Sequence, residues 1–445
     1  MRNENEVLFH RLVTEYVAET ASILRNPPSA AVEHRVGAPP RGVYLSVNHP
    51  EDVETALRNT GVQAADVDLL VVTDSVGSLD HGIHGVDRIH AAAGGLALYT
   101  AAAGIRPQRA LPVLLDVGTD DVRRLADPRY VGARHAVVRD DRHDQLIDAF
   151  VTAASKLWPG AVLSCEGFDG AVAERVLSRF AGHTCLYDDG LQGRAAAALS
   201  ATLSAARVTG SRLRDQSVLV HGVGPLAQRI VHVLREEMTH EGLGSGAAAA
   251  HVRLTGPNGL ADDVDCFSPT VLIGVSGQMG AFTESVITRL ADRHQRPVIL
   301  PLSHPDSAEA TAADLIRWTD GRALVATGGW SAPVTHRRRT MTVAYADTAL
   351  VSPGICLGAT VAQATRITDD MIAAAARAVA ELATPESPVL PPATELRRVS
   401  ATVAVAVARA AERAGVAQAE LPDVIQQVHQ AMWRPHYPEI EAFND

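Results

Sequence analysis

The stretch QSVLVHGVGPLAQRIVHVL, residues 216–234, decides the fold of this chain. An apolar run leads into a glycine-rich turn, and an amphipathic pattern with helical spacing follows. Gly222 permits a tight turn, Gly224 lets the backbone approach a pyrophosphate, and Ala227 allows the next helix to pack closely. A strand, a glycine turn and a helix in this order predict the start of a Rossmann-type dinucleotide-binding domain. The alternative is a glycine turn with a structural role only.

Three later apolar runs, TVLIGVSG, RPVILPLS and ALVATGG, each end in glycine or serine. In open α/β sheets, ligands bind at the carboxyl ends of the strands. We therefore expect NAD or NADP to contact a second loop besides the first glycine turn. That loop contains Gly274, Val275, Ser276 and Gly277.

The strand after the glycine turn, HVRLTGPNGL, lacks the acidic residue that usually ends it and binds the adenosine ribose. It ends in Thr255, Gly256 and Pro257, and Asp262 and Asp263 follow several residues later. Three alternatives are open: the ribose is held in another way, a phosphorylated ribose is tolerated, or the site is degraded. The sequence therefore does not choose between NAD and NADP.

Upstream of this block, the apolar runs GVYLSV, DLLVVTD, LPVLLDVG and AVLSCE alternate with helical patterns, which is typical of stacked βαβ units. From about Ile367 onward the pattern is helical. We predict an α/β fold with an N-terminal domain over residues 1–194 and a Rossmann-type domain over residues 195–366. A C-terminal helical segment, residues 367–445, is expected to pack back on the N-terminal domain.

Composition excludes several classes of function. The net charge of −11 is spread along the chain, which argues against a nucleic-acid partner. No stretch reaches the ~18 apolar residues of a membrane span. Four cysteines, Cys165, Cys185, Cys266 and Cys356, have no C-x-x-C spacing, which argues against disulfides and structural zinc. We expect a cytoplasmic protein that acts on a small molecule.

Several segments resemble the malic enzymes and run in that family's order. They are RGVYLSVNHPEDVETALRN, LLVVTD, GGLALYTAAAGI, LPVLLDVGTDD, YDDGLQG, VLIGVSGQMGAFTE, PLSHPDS and GRALVATGG. The resemblance runs from about Arg41 to the C-terminal segment. It implies an N-terminal α/β catalytic domain, a Rossmann-type NAD(P)-binding domain and C-terminal helices. It also implies a homodimer or a higher homo-oligomer.

The resemblance further implies that the groups needed for malate chemistry are missing. In the family a tyrosine and a lysine move protons, and an arginine and asparagines hold the malate carboxylates. Here the lysine position falls on Gly95 and the arginine position on Gly77, and the tyrosine motif has no counterpart. The substrate asparagine is replaced by His304, and a later asparagine pair reads Asp347-Thr348. A carboxylate facing Asp347 would be repelled, so malate is a poor candidate substrate.

The family's metal site is half retained. Glu166 stands at the position of the first acidic ligand, but the adjacent aspartate is Gly167, for which Asp169 is a candidate replacement. Asp188 and Asp189 match the family's acidic pair. The resemblance therefore implies a site for Mg²⁺ or Mn²⁺ at Glu166, Asp188 and Asp189. The alternative is that the aspartate pair caps a helix without binding a metal.

The segment DHGIHGVDRIH adds His81, His84 and His90 where the family has a glycine-rich loop. Histidine is the commonest general acid or base near neutral pH, although histidines in a polar loop are often only solvated. The candidate catalytic residues are Asp188, His304, His84 and His90.

Two functions follow. The first is a repurposed enzyme that retains NAD(P), with or without a divalent metal, and acts on a small hydroxy or carboxy metabolite other than malate. Its chemistry would be hydride transfer or a nonredox, lyase-type cleavage. The alternative is an inactive pseudoenzyme that binds a ligand or a partner, in which the pocket should be collapsed or occluded.

Overall fold

The computed structural model describes residues 5–25, 42–76, 84–384, 387 and 389–437. The first half is built on a parallel sheet of five strands in the order β1-β3-β2-β4-β5. The strands are β1 (Val43–Ser46), β2 (Leu69–Asp74), β3 (Ala110–Asp116), β4 (Val162–Cys165) and β5 (Leu186–Asp188). Their carboxyl ends bring Thr73, Glu166 and Asp188 to one edge of the sheet.

Helices cover both faces of this sheet. The helices of the first half are α1 (Glu6–Glu15), α2 (Val17–Arg25), α3 (Val53–Arg58), α4 (Ile89–Ala103), α5 (Val122–Ala126), α6 (Asp141–Leu157) and α7 (Gly170–Phe180), and α8 (Arg194–Val208) leads into the second half. The apolar stripe of α6 predicts a covering helix between Leu146 and Trp158. The helix starts earlier than this stripe, because the Asp140 side chain accepts a hydrogen bond from Arg142 N and caps it. Helix α4 is buried on nearly all sides, which matches its uninterrupted apolar sequence.

The second half contains a parallel sheet of six strands in the order β13-β10-β9-β8-β6-β7. The remaining strands are β6 (Val218–His221), β7 (Val252–Thr255), β8 (Val271–Gly274), β9 (Val298–Pro301), β10 (Leu324–Thr327), β11 (Val334–His336), β12 (Arg339–Met341) and β13 (Ala344–Tyr345). Strands β11 and β12 form an antiparallel hairpin outside the sheet. Because β6 lies between β7 and β8, the chain reverses its direction of winding there, and the glycine turn after β6 lies at the ligand edge.

The helices of this half are α9 (Pro225–His240), α10 (Ser245–His251), α11 (Leu260–Phe267), α12 (Glu284–Arg293) and α13 (Ala312–Trp318). Four more helices follow: α14 (Ser352–Val361), α15 (Asp369–Glu381), α16 (Leu396–Arg413) and α17 (Val424–Ala431). In α16, Arg397 donates hydrogen bonds to the carbonyls of Ala101 in α4 and Trp433. The C-terminal segment therefore touches the helix that covers the first sheet. No helix in the described part of the chain has the length and apolar character needed to cross a bilayer.

Helices α14 and α16 approach closely because α14 presents glycines to its neighbour. A Cβ on Gly354 would lie 2.6 Å from Val403 Cβ, and one on Gly358 would lie 2.6 Å from the Ala404 carbonyl oxygen. Both distances are far shorter than van der Waals contact. The two glycines thus set the separation of these helices.

We expect Gly358→Val to lower the free energy of unfolding by about 1–3 kcal/mol, because the added side chain must push the α16 backbone away. Urea unfolding followed by circular dichroism measures the change. Thr360→Val, two residues along the same helix, is the matched control and should change stability much less. Equal effects of the two substitutions would show that helix propensity, and not the close approach, is responsible.

Candidate functional site

A cavity of about 620 Å³ lies where the carboxyl edges of the two sheets face each other. Thr73, Glu166 and Asp188 line it from the first sheet, and Gly224 and Ser276 line it from the second. The cavity is open. The collapsed pocket expected of a pseudoenzyme is therefore not what the structure contains.

Most of the predicted site residues surround this cavity. Those that line it are Glu166, Asp188, Asp189, Gly224, Val275, Ser276, Gly277 and His304. Three predicted cofactor residues are not among the lining residues: Gly222 lies in the glycine turn, Ala227 in the first turn of α9 and Gly274 at the end of β8. His84 precedes the short 3₁₀ turn Gly85–Arg88 and His90 lies in the first turn of α4, and neither lines the cavity. His81 and Gly77 lie outside the described residues.

The glycine turn after β6 has the shape that a pyrophosphate requires. Gly222 has a φ of 156°, and a Cβ there would lie 3.0 Å from Val275 Cγ2, so the turn packs directly against the loop after β8. A Cβ on Gly224 would meet no atom within 4 Å. This open space lies in front of the N-terminus of α9, where backbone N–H groups favour an anion.

Glu309 holds the second cofactor loop in place, although nothing in the local sequence singles it out. Its side chain is fully buried, and its Oε1 accepts hydrogen bonds from Ser276 N at 2.8 Å and Ser276 Oγ at 2.9 Å. Ser303 Oγ donates to the same oxygen at 2.6 Å and accepts from Gly277 N at 2.9 Å. The loop after β8 is thus fixed by a carboxylate from a distant segment.

An acidic side chain does lie near the end of β7. A Cβ on Gly259 would lie 3.2 Å from Asp263 Oδ2 and 3.5 Å from Thr255 Oγ1. The loop before α11 folds back, so the Asp263 carboxylate comes close to the strand end that it follows by eight positions in sequence. Sequence spacing alone could not reveal this proximity.

Asp188 is deeply buried at the end of β5. It is 1% exposed, its Oδ1 accepts a hydrogen bond from Leu191 N at 2.6 Å, and its own N–H donates to Gln192 Oε1. Burial raises the pKa of Asp188 to about 7, and the neighbouring Asp189 charge adds to the effect. Asp188 therefore caps the turn that follows it, and it also titrates near neutral pH.

Asp189 is held by a buried network of hydroxyl groups. Ser352 Oγ donates to its Oδ1 at 2.6 Å, and Thr348 Oγ1 donates to its Oδ2 at 3.0 Å. The Tyr187 hydroxyl is in turn hydrogen-bonded to Ser352 Oγ at 2.7 Å. These partners come from the segment after β13, so the first sheet and the C-terminal helices fix this carboxylate jointly.

The family resemblance assigns a lysine to the position of Gly95, and here the Glu166 side chain fills the space beside this glycine. A Cβ on Gly95 would lie 2.6 Å from Glu166 Oε2, so a longer side chain would collide with this carboxylate. Asp347 also lines the cavity, and its Oδ1 accepts a hydrogen bond from Ala349 N and caps a short turn. Both Glu166 and Asp347 therefore contribute carboxylates to the cavity wall.

His304 lines the cavity and caps the turn Pro305–Ser307. Its Nδ1 accepts a hydrogen bond from Asp306 N at 3.3 Å. An Nδ1 that accepts from a backbone N–H places the proton of the neutral ring on Nε2. His304 is therefore the one predicted histidine that the described structure brings to the cavity.

Arg88, at the start of α4, is a buried cation that sequence reasoning did not single out. It lines the cavity and is 2% exposed. Its Nε donates to the Asp74 carbonyl at 2.8 Å, and its Nη2 donates to Thr73 Oγ1 at 3.0 Å and to the Gly167 carbonyl at 3.3 Å. Burial lowers the pKa of Arg88 below its ordinary value, which the nearby Asp74 charge partly offsets.

The side chains predicted to bind Mg²⁺ or Mn²⁺ do not fit a divalent metal in this structure. Among the described residues, only His49, Glu51 and Asp52 offer three ligand atoms that lie within 4.8 Å of one another, and these three are exposed. Glu166, Asp188 and Asp189 do not form such a group. A Cβ on Gly167, where the family has an aspartate, would overlap Arg88 Nη2. A cationic group therefore stands where an acidic ligand is missing.

A glycine turn at a helix N-terminus and an adjoining acidic cavity define a two-domain α/β protein that binds a nucleotide beside a small polar ligand. Comparison with known proteins specifies the family. Residues 2–181 match the malic enzyme N-terminal domain, and residues 191–265 and 254–412 match the malic enzyme NAD-binding domain. The chain belongs to the malic enzyme family.

The similar proteins span nearly the whole chain. NAD-dependent malic enzyme 3 of Bacillus subtilis is 38% identical over 99% of this chain and 86% of its own length. A putative NAD malate oxidoreductase of Mycobacterium tuberculosis is 36% identical over 97% of this chain and 86% of its own length. The structure of malic enzyme from Pyrococcus horikoshii shares the fold, with a TM-score of 0.62 and 19% identity over 97% of this chain and 96% of that one. The predicted family and fold class are confirmed.

Proposed function

We propose that this protein is an NAD-dependent oxidoreductase that oxidises a small hydroxy carboxylate other than malate. The observation that carries the proposal is the open cavity, in which the glycine turn at Gly224 and the titratable Asp188 face one space. The names of the relatives cited above support NAD as the nucleotide. An open cavity also favours this function over the predicted alternative, an inactive pseudoenzyme.

The cofactor site is proposed from the loops of the second sheet. Gly222 and Gly224 would lie against the pyrophosphate, and the loop from Gly274 to Gly277, held by Glu309, would lie against the nicotinamide half. We propose Asp263 as the acidic residue that binds the adenosine ribose, since its carboxylate lies beside the end of β7. Bound NAD would supply the acceptor for a hydride from the substrate carbon.

Asp188 is the proposed general base. A base that removes a hydroxyl proton works best with a pKa near the working pH, and the pKa of Asp188 is about 7. The hydroxyl O–H bond would break as its proton moves to the carboxylate, its electron pair would form the carbonyl C=O bond, and the C–H electrons would leave as a hydride to bound NAD⁺. Asp189 would keep this region negative and positions the turn through Thr348 and Ser352.

Malate is disfavoured as the substrate by the two walls of the cavity. Glu166 fills the space beside Gly95, and Asp347 faces the cavity as a second carboxylate. A dicarboxylate would place one of its charges near one of these groups, at a cost of about 1–4 kcal/mol for charges 4 Å apart at the surface. A monocarboxylate avoids that cost. His304 stays a candidate for contacting the substrate, and the roles predicted for His84 and His90 stay predictions.

The remaining expectations are proposed on the same basis. The first domain, residues 1–194, would supply Glu166, Asp188 and Asp189 to the substrate site, and residues 195–366 would supply the cofactor loops. The third segment, residues 367–445, would form a helical unit whose described part contacts α4 through Arg397. Cytoplasmic location and assembly as a homo-oligomer stay predictions from composition and from the family.

The test is binding of NAD⁺ and NADP⁺ by calorimetry on the full chain, followed by NADH formation from a panel of small hydroxy acids and malate. We expect NAD⁺ to bind, and a monocarboxylate to be oxidised faster than malate. Binding of NAD⁺ without turnover of any hydroxy acid would favour the pseudoenzyme. No binding of either nucleotide would reject the proposal.

Substitution in the glycine turn gives a sharper prediction. Gly224→Asp puts a carboxylate into the proposed pyrophosphate site without a steric clash, since a Cβ there meets nothing within 4 Å. We expect charge repulsion to weaken NAD⁺ binding by about tenfold or more in calorimetry. Gly160→Asp, at a second glycine whose Cβ would be unobstructed, is the control and should bind normally. Unchanged binding by Gly224→Asp would place the pyrophosphate elsewhere.

A further inference from the structure

We propose that Arg88 binds the substrate carboxylate and supplies the positive charge that a divalent metal would otherwise provide, so that the site works without a metal. The inference rests on the proposed function, because it names the residue that recognises the carboxylate of that same substrate.

The first observation is that Arg88 has unused hydrogen-bonding capacity in a buried position. A guanidinium carries five N–H donors. Nε and Nη2 have acceptors, but Nη1 is buried and has none in the described structure. Leaving a buried donor without an acceptor costs about 1–3 kcal/mol, and more for a charged group. An anionic oxygen that reached Nη1, through movement of the side chains that cover it, would remove this cost.

The second observation is that no direct ion pair holds Arg88, although the Asp74 charge acts on it from a distance. Among the described residues, no carboxylate oxygen lies within 4.0 Å of its nitrogens. Buried arginines are almost always paired with an acidic group. The carbonyls of Asp74 and Gly167 accept from the guanidinium without cancelling its charge. A bound carboxylate would complete the pair.

The third observation is the close contact between Arg88 and Gly167. Gly167 leaves the space into which the Arg88 guanidinium extends, and any side chain at 167 would overlap Nη2. The Arg88 guanidinium therefore occupies the place in the cavity wall that a side chain at position 167 would take. This corner of the cavity therefore carries a positive charge and suits an anion.

This placement also orients the substrate. Arg88 and Thr73 lie on the wall formed by the first sheet, whereas the repelling Asp347 comes from the segment after β13. A monocarboxylate held at Arg88 would turn its hydroxyl-bearing carbon into the cavity that Asp188 also lines. A guanidinium stays charged at every working pH, so binding of the carboxylate needs no metal.

The first experiment measures binding of lactate to the full chain by calorimetry in metal-free buffer with saturating NADH. Lactamide, the neutral amide of the same shape, is the ligand control. We expect lactate to bind at least about tenfold more tightly than lactamide, as a charge-assisted hydrogen bond implies. Arg88→Met should reduce lactate binding to the lactamide level, and Arg88→Lys should keep part of the difference. Arg175→Met, at an exposed arginine in α7, should leave it unchanged.

The outcomes separate the two proposals. If the Arg88 variants bind NADH and keep the preference for lactate, Arg88 does not recognise the carboxylate and the inference is wrong, while the proposed function stands. If wild-type protein binds no NADH, the proposed function fails first. Thermal unfolding of Arg88→Lys shows whether the conservative variant is folded. An Arg88→Lys protein that is folded but binds lactate as tightly as wild type would also contradict the inference.

The second experiment restores the metal site. Wild-type protein should not bind Mn²⁺ in the cavity, whereas Arg88→Gly combined with Gly167→Asp removes the cation and returns an acidic ligand. Gly167 has a φ of 70°, a conformation that aspartate adopts more readily than most residues. We expect the double variant to gain saturable Mn²⁺ binding, which Glu166→Gln should abolish. Mn²⁺ binding by wild type that depends on Glu166 would overturn the inference.

Discussion

Asp188→Asn is expected to lower kcat for the best hydroxy acid by roughly 10²- to 10⁴-fold, the range that a positioned general base contributes. An amide is nearly isosteric with a carboxylic acid, and its oxygen can still accept from Leu191 N. It cannot take a proton from the substrate. Folding and NAD⁺ binding should therefore survive while the chemical step is lost.

The rate of NADH formation measures this effect, at saturating substrate and over a range of pH. Because the carboxylate form of Asp188 is the active one, the wild-type rate should rise as the pH passes about 7 and then level off. The Asn variant should lack this step. Asp169→Asn is the matched control, since Asp169 also lines the cavity but caps α7 through Ala171 N. An Asp188→Asn enzyme within tenfold of wild type would assign the base to another group.

Burial of Asp188 should also make stability depend on pH. The pKa of this carboxyl is about 7 in the folded chain and 3.8 in its ordinary state. Below about pH 4 the group is protonated in both states and burial carries no charge penalty. As the pH rises from about 4 to about 7, the unfolded chain releases the proton and the folded chain retains it, so the folded state loses stability. Above the folded pKa the loss is complete.

The expected size follows from the pKa difference. Each unit is worth about 1.4 kcal/mol, so between about pH 5 and pH 8 the wild type should lose about 3 kcal/mol relative to Asp188→Asn. Urea unfolding of both proteins at several pH values gives this difference directly, and the Asn variant removes the contribution of every other titrating group. A difference that stays constant with pH would mean that Asp188 is ionised throughout this range and that burial does not raise its pKa.

The sequence by itself determined the fold class, the position of the glycine turn and the family. Each depends on features that are local along the chain. Alternating apolar runs specify strands, helical spacing specifies covering helices, and a turn that needs a positive φ specifies glycine. The loop after β8 follows from the same kind of pattern, whereas the aspartate pair at the end of β5 is implied by the family resemblance.

Only the tertiary structure decided which of these residues face one another. Arg88 lies between His84 and His90 in the sequence, yet packing of α4 brings it, and not either histidine, to the cavity and into the space above Gly167. Asp263 reaches the end of β7 because a loop folds back. The pKa of Asp188 depends on burial by segments from both halves of the chain. Proximity and dielectric environment arise from contacts between distant segments, and no local pattern encodes them.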